Sequence, residues 1–257
     1  MKQKEFLDVL NKDKIPYEIK GDKTIIYGKS INIYSLPPNV RFENKGNVFS
    51  NSLKSLPDGI EFNNTGDVSL ENIGDLPYGV KFENKGRVYL SRIKSLHLGV
   101  EFNNRGNVYL RGLNSLPAGF VFNNTGDVSF GSVSFSDGVN FDSVKNIQIN
   151  ILKSLPAGFE FKNKGNIDLS IMDNYLPSDI KFKNKGDVFL NSLKSLSPGI
   201  KFENKGVVNL KSIINLSAGL EFNNKGDIIL SSKWNCNIEG VDSKRILNLM
   251  ISKGMFI

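Results

Sequence analysis

A chain of 257 residues that is 39% hydrophobic and 23% charged has the composition of a folded protein, not of a disordered one. Its 33 Lys and Arg against 26 Asp and Glu give a net charge of +7, a balance that suits an anionic partner or a merely solvated surface. Cys236 is the only cysteine, which excludes an internal disulfide, and no stretch nears the roughly eighteen apolar residues of a membrane-spanning helix.

Residues 1–14 mix charged and apolar side chains without the unbroken apolar core of a secretion signal, so a soluble protein in the cytoplasm is expected. Phe6, Leu7, Val9 and Leu10 predict a short helix over 3–13. A hairpin from Tyr17 to Tyr27, turning at Gly21-Asp22, follows it. Together they make an expected N-terminal cap over 1–35 for an array that occupies 36–232.

Within the array a phenylalanine recurs at Phe42, Phe62, Phe82, Phe102, Phe122, Phe141, Phe161, Phe182, Phe202 and Phe222, at intervals of twenty apart from one of 19 and one of 21. A representative unit runs Leu56-Pro57-Asp58-Gly59-Ile60-Glu61-Phe62-Asn63-Asn64-Thr65-Gly66-Asp67-Val68-Ser69-Leu70. Each unit has two short alternating segments, such as Val100-x-Phe102 and Val108-x-Leu110, the pattern of strands with one buried face. In the Leu56-Pro57-Asp58-Gly59 turn, proline presets the backbone and glycine suits the exit. In the Asn64-Thr65-Gly66 corner, glycine tolerates a positive φ and asparagine can bond local backbone. A unit this short cannot bury its apolar side chains alone, so units must stack and like residues must fall into columns. The fold expected is mainly β: about ten coils of about twenty residues. Its core is a phenylalanine column, a Val48-to-Ile228 column and a Leu70-to-Leu230 column, with Leu53 and Leu56 closing the far side. Asn44, Asn64, Asn84, Asn104, Asn124, Asn163, Asn184, Asn204 and Asn224 form a further column, missing at Ser143, that is read as structural.

The stretch V-x-L-x-x-L-x-x-L-P, as in Val48 to Pro57 with Ser50 at its third place, resembles the leucine-rich repeats of bacterial and phage proteins, in particular the short class with an L-P step. The resemblance covers roughly residues 40–230 and implies a partner-binding scaffold. The constant asparagine here precedes the strand, whereas the family's usually follows it. Both a horseshoe and a straighter β-solenoid therefore stay open.

Regularity fails around Phe141, where Lys145 stands in the glycine place and the L-P step is missing, and again at an insertion before Tyr175-Leu176. A shift in stacking is expected there. At the far end, Trp234 and Cys236 mark a junction read as packing. Beyond it, Asp242 caps a predicted helix through Ile246, Leu249 and Met250 that stops at Gly254, giving a C-terminal helical cap over 233–257.

Nothing in the sequence assembles a catalytic site. His97 is the single histidine and replaces a turn proline, so neither a histidine metal cluster nor a triad can form. Phosphate-binding glycine loops are missing, and Asp67, Asp127, Asp187 and Asp227 lack the spacing of calcium-binding solenoids. No cofactor, no metal and no enzymatic activity are expected.

Two features go beyond a bare scaffold. Arginine is scarce, yet Arg87, Arg92, Arg105 and Arg111 crowd into two consecutive units. In Arg87-Val88-Tyr89-Leu90 the valine and leucine point inward, which turns Arg87 and Tyr89 outward beside Tyr109 and Arg111 of the next unit. Tyrosine and arginine are the residue types enriched in binding hot spots, so these six residues are the candidate protein-binding site. Phe49 and Phe189 extend the same outward column. The second feature is a corner column of Lys45, Lys85, Arg105, Lys164, Lys185, Lys205 and Lys225, interrupted by Thr65, Thr125 and Val144, whose lysines are candidate phosphate ligands. The reading is a non-enzymatic scaffold that offers a strand face to a protein partner. The alternative is binding of nucleic acid, or inhibition of a nucleic-acid-bound complex in the manner of a phage counter-defence protein, through the basic corner.

Overall fold

The computed structural model describes residues 2–50, 52–170 and 175–230, so the expected C-terminal cap with Trp234 and Cys236 lies outside the described residues. The array winds as a β-solenoid in which each coil lays one short strand on each of two faces, except that the coils of Phe122 and Phe141 carry none on the phenylalanine side. On the face built from the Val-x-Leu segments, eleven strands from Ile31–Asn32 to Ile228–Leu230 form one sheet, parallel throughout. The opposite, phenylalanine face is cut in two. One sheet of six strands runs from the hairpin to Glu101–Phe102, and another of four runs from Glu160–Phe161 to Glu221–Phe222.

The columns expected from the period form the core. Phe42 stacks on Phe62 at 5.3 Å, Phe62 on Phe82 at 5.1 Å and Phe82 on Phe102 at 5.1 Å, all within 9° of parallel. Each such pair adds about 0.5–1.5 kcal/mol beyond the area it buries. Between coils the backbone bonds repeat: Val88 N–H to Asn107 C=O at 2.8 Å on one face, Asn103 N–H to Phe82 C=O at 2.8 Å on the other. The asparagines are buried at the corner, where Nδ2 of Asn64 donates to the Gly66 carbonyl at 2.9 Å and to the Gly46 carbonyl of the coil below at 3.1 Å. They serve turn carbonyls that the strands leave unpaired.

The two glycine positions differ in their reasons. At the exit of the L-P turn, Gly59, Gly79, Gly119, Gly158, Gly199 and Gly219 adopt φ between 71° and 80°, and Asn39 and Asp179, two residue types that tolerate this region, stand in for glycine there. The corner glycines do not use the positive φ that glycine tolerates. Their constraint is space: a Cβ on Gly106 would lie 2.1 Å from the Gly86 carbonyl oxygen, and one on Gly86 2.4 Å from that of Gly66. Only a residue without a side chain lets successive corners approach this closely.

The N-terminal cap agrees with the sequence reading. A helix, Gln3–Lys12, begins with the Lys2 N–H held by Glu5 at 3.1 Å and buries Phe6 and Leu10 over the first coil. Strands Tyr17–Lys20 and Lys23–Ile26 form the antiparallel hairpin, and the second pairs in parallel with Val40–Phe42.

The irregular coil is where the phenylalanine face breaks. Phe122 and Phe141 still stack at 5.3 Å, but Phe135 then packs between Phe141 and Phe161, tilted at 5.4 and 6.5 Å. A cleft of about 350 Å³ opens beside the break, lined by residues 137–142, 157–160 and Lys162, which reaches Asp142 there at 2.9 Å. On the other face the sheet runs through unbroken, with its longest strands, Val128–Ser134 and Ile147–Ser154, paired side by side.

Candidate binding faces

On the phenylalanine face several outward positions pair off by charge. Lys81 meets Glu101 at 3.1 Å, Lys201 meets Glu221 at 2.6 Å and Lys183 meets Glu160 at 2.8 Å. These carboxylates, by hydrogen bonding first and charge second, raise the pKa of each lysine. Such exposed pairs are screened by water and salt and describe a solvated surface.

The Val-x-Leu face carries the aromatic column. Its outward residues follow one another in register as Phe49, Ser69, Tyr89, Tyr109, Ser129, Gln148, Asp168 and Phe189. Tyr89 and Tyr109 stack at 4.9 Å with their rings 6° apart, both half-buried. Arg87 is exposed and donates from Nη1 to the Tyr89 hydroxyl at 3.3 Å, an interaction that raises the arginine pKa, with Tyr109 and Asp67 adding to it. Arg92 and Arg111 are exposed on the turns that follow the strands Val88–Tyr89 and Val108–Leu110. Arg105 stands apart from the other five. Its N–H bonds the Asn84 carbonyl at 3.0 Å, the place Lys85 takes on Asn64 at 3.1 Å, which puts it in the corner row.

A ladder that the sequence did not announce runs beside the tyrosines. Asp67, Asn107, Asp127, Asn146, Asn166 and Asp187 just precede their strands. Each accepts, through Oδ1, the backbone N–H of the equivalent residue one coil on: Arg87 bonds Asp67 at 2.7 Å, Asp127 bonds Asn107 at 2.9 Å, Asp187 bonds Asn166 at 2.8 Å and Val207 bonds Asp187 at 2.7 Å. Arg87 and Val207 sit in this row and offer no such oxygen to the next coil. The aspartates are therefore rungs of the corner, a role visible only once neighbouring coils are stacked. His97 is exposed on its turn, Nε2 3.5 Å from Asp75. Among the described residues no three His, Cys, Asp or Glu gather as metal ligands, and no helix is long and apolar enough to cross a membrane.

The corner cations line up as their spacing predicts. Lys45, Lys85, Arg105, Lys164, Lys185, Lys205 and Lys225 are all exposed, and none forms an ion pair with a described residue. Val144 is not an exposed gap in this row. It is buried, and its carbonyl accepts the Lys164 N–H at 2.8 Å just as Asn163 accepts that of Lys185 at 3.0 Å, so it occupies the asparagine column that Ser143 was expected to break. The coil is one residue short, and exposed Lys145 now receives Asn163 Nδ2 on its carbonyl at 2.8 Å, in the glycine place. Lys29 holds the same place against Asn44 at 2.7 Å. Both lysines add to the ridge.

The architecture is that of a parallel β-solenoid with one aromatic face and one basic corner. Compared with family models, with curated proteins and with solved structures, the chain matches none.

Proposed function

We propose that the protein is a non-enzymatic binding scaffold of the cytoplasm that presents its Val-x-Leu face to a protein partner, centred on Arg87, Tyr89 and Tyr109. The observation that carries this reading is Arg87 itself. It occupies a row in which the members from Asn47 to Asp187 otherwise hold the next coil through a side-chain oxygen, and it forgoes that bond to stand exposed beside two stacked tyrosines. A residue that breaks a structural rule without a structural gain points to function. Arg92 and Arg111 edge the same face, and the kinship with leucine-rich repeats implied by the L-P motif agrees with a scaffold's role.

The test is capture of the partner by the wild-type chain and by Tyr89→Ala/Tyr109→Ala, with nuclease added and circular dichroism as the control for folding. Binding is expected to weaken by about 2 kcal/mol or more, roughly thirty-fold. Unchanged affinity in the double variant would remove the site from this face.

The ridge supports a second reading, nucleic acid or a nucleic-acid-bound complex as the target, as a phage inhibitor would engage. Lys145, Lys164, Lys185, Lys205 and Lys225 follow on consecutive coils, about 4.8 Å apart and unpaired with any described carboxylate. Changing Lys185, Lys205 and Lys225 to Gln is expected to flatten the dependence of log affinity on log salt by about two to three units, since close to one unit is lost per phosphate contact. A slope unchanged by the three substitutions would leave the ridge as a solvated row.

A further inference from the structure

Beside Tyr109 the aromatic face sinks into a trough of about 250 Å³, lined by Asn107, Tyr109, Asp127, Ser129, Gln148 and Asp168 and closed at its far end by Phe189. It exists because Ser129, only 9% exposed, stands where the two preceding coils carry tyrosine. One face of the Tyr109 ring is covered by Tyr89, so its other face is the one turned to the trough. We propose that this trough seats an extended, basic segment of the partner, laid along the solenoid axis with one apolar side chain against Tyr109 and a second against Phe189. The proposal rests on the protein-binding reading of this face and names the kind of segment it takes.

Charge argues for the basic character. In a chain of net charge +7, Asp127 and Asp168 line the trough and no Lys or Arg does. Asp127 already receives Nδ2 of Asn107 at 3.3 Å and of Asn146 at 2.8 Å, whereas Asp168 uses Oδ1 for the Ser170 N–H at 2.9 Å and has Oδ2 to offer. A lysine or arginine over the middle of the floor would meet that oxygen. The floor also argues for a peptide: with their side-chain oxygens already bonded to the Asp187 N–H and the Ser129 hydroxyl, Asn166 and Gln148 have amide N–H donors to offer beside the Asp168 acceptor, and an extended backbone carries both donors and acceptors. Spacing sets the length. Tyr109 and Phe189 are four coil steps apart in the column, about 19 Å at about 4.8 Å a step, which an extended chain spans with about six residues.

The test uses the full-length chain and fluorescein-labelled synthetic peptides of about twelve residues, read by anisotropy. Two leucines are set from about three to nine residues apart on a Gly/Ser background, with Lys, Ser or Glu between them. Binding is expected to peak at a separation of about five to seven residues and to favour the Lys centre over Glu by about five-fold. Ser129→Tyr should abolish it: the new ring continues the tyrosine stack into the trough, and the same residue already stands at two coils of this column. Asp168→Asn should erase the preference for Lys while the dependence on separation persists. No binding by any peptide, binding indifferent to separation, survival in Ser129→Tyr, or tighter binding of an oligosaccharide or single-stranded oligonucleotide would each overturn the proposal. If Ser129→Tyr leaves capture of the partner intact while Tyr89→Ala/Tyr109→Ala abolishes it, the trough fails and the face reading stands.

Discussion

Replacing Phe102 with alanine tests the stacked core at its centre. The ring is fully buried between Phe82 at 5.1 Å and Phe122 at 5.6 Å, with Phe120 tilted against it at 6.3 Å. Truncating a buried phenylalanine costs about 3–5 kcal/mol in transfer and cavity terms, and removing the ring stacking on both sides brings the expectation to about 5 kcal/mol. Phe222 provides the comparison. It is 5% exposed and stacks on one described ring, Phe202 at 4.9 Å, so Phe222→Ala should cost about 1 kcal/mol less. Urea unfolding followed by circular dichroism gives the loss as a shift in midpoint, and native-state hydrogen exchange shows which coils carry it, since stability in a stack is a sum of nearest-neighbour terms. A loss below about 2 kcal/mol at Phe102, or an equal loss at both positions, would show that the rings do not act as a continuous column.

Two further substitutions probe the corner. Gly106→Ala, whose new methyl would lie 2.1 Å from the Gly86 carbonyl oxygen, should cost about 3 kcal/mol, against about 1–2 for Gly119→Ala, which is strained only by its φ of 73°. Equal urea midpoints for the two variants would contradict close approach as the reason for the corner glycine. Asp187→Ala should lose about 1 kcal/mol because the Val207 N–H gives up its 2.7 Å acceptor, while Asp187→Asn keeps that oxygen and should stay within about 0.5 kcal/mol of the native chain. Matching losses in the two variants would assign the effect to charge instead of to the rung.

The period, the buried columns, the capping helix and the hairpin were legible because each depends on residues close in sequence or repeated at a fixed interval. What escaped depends on the contact between one coil and the next. The Asn/Asp ladder was hidden because its members vary between two residue types, with Arg87 and Val207 intervening, and their shared act is to bond a backbone twenty or so residues away. Lys145 reads as a lost glycine, and only the one-residue deficit of its coil moves Val144 inward and leaves the lysine on the ridge. Of the six candidate partner-binding residues, alternation turns Arg87, Tyr89 and Tyr109 to the solvent side of their strands, while Arg105, close to them in sequence, stands in the corner row.

A stack with eleven strands continuous on one side and a cut sheet on the other is mechanically lopsided. Bending that widens the cut between Phe141 and Phe161 breaks no strand pairing on the phenylalanine side, whereas bending the opposite way must shear or stretch the unbroken sheet. Resistance to bending is therefore unequal on the two sides, least where the cut is crossed by side chains alone, Lys162 to Asp142 and Phe135 between Phe141 and Phe161, and greatest along the floor on which Ser129 and Gln148 lie.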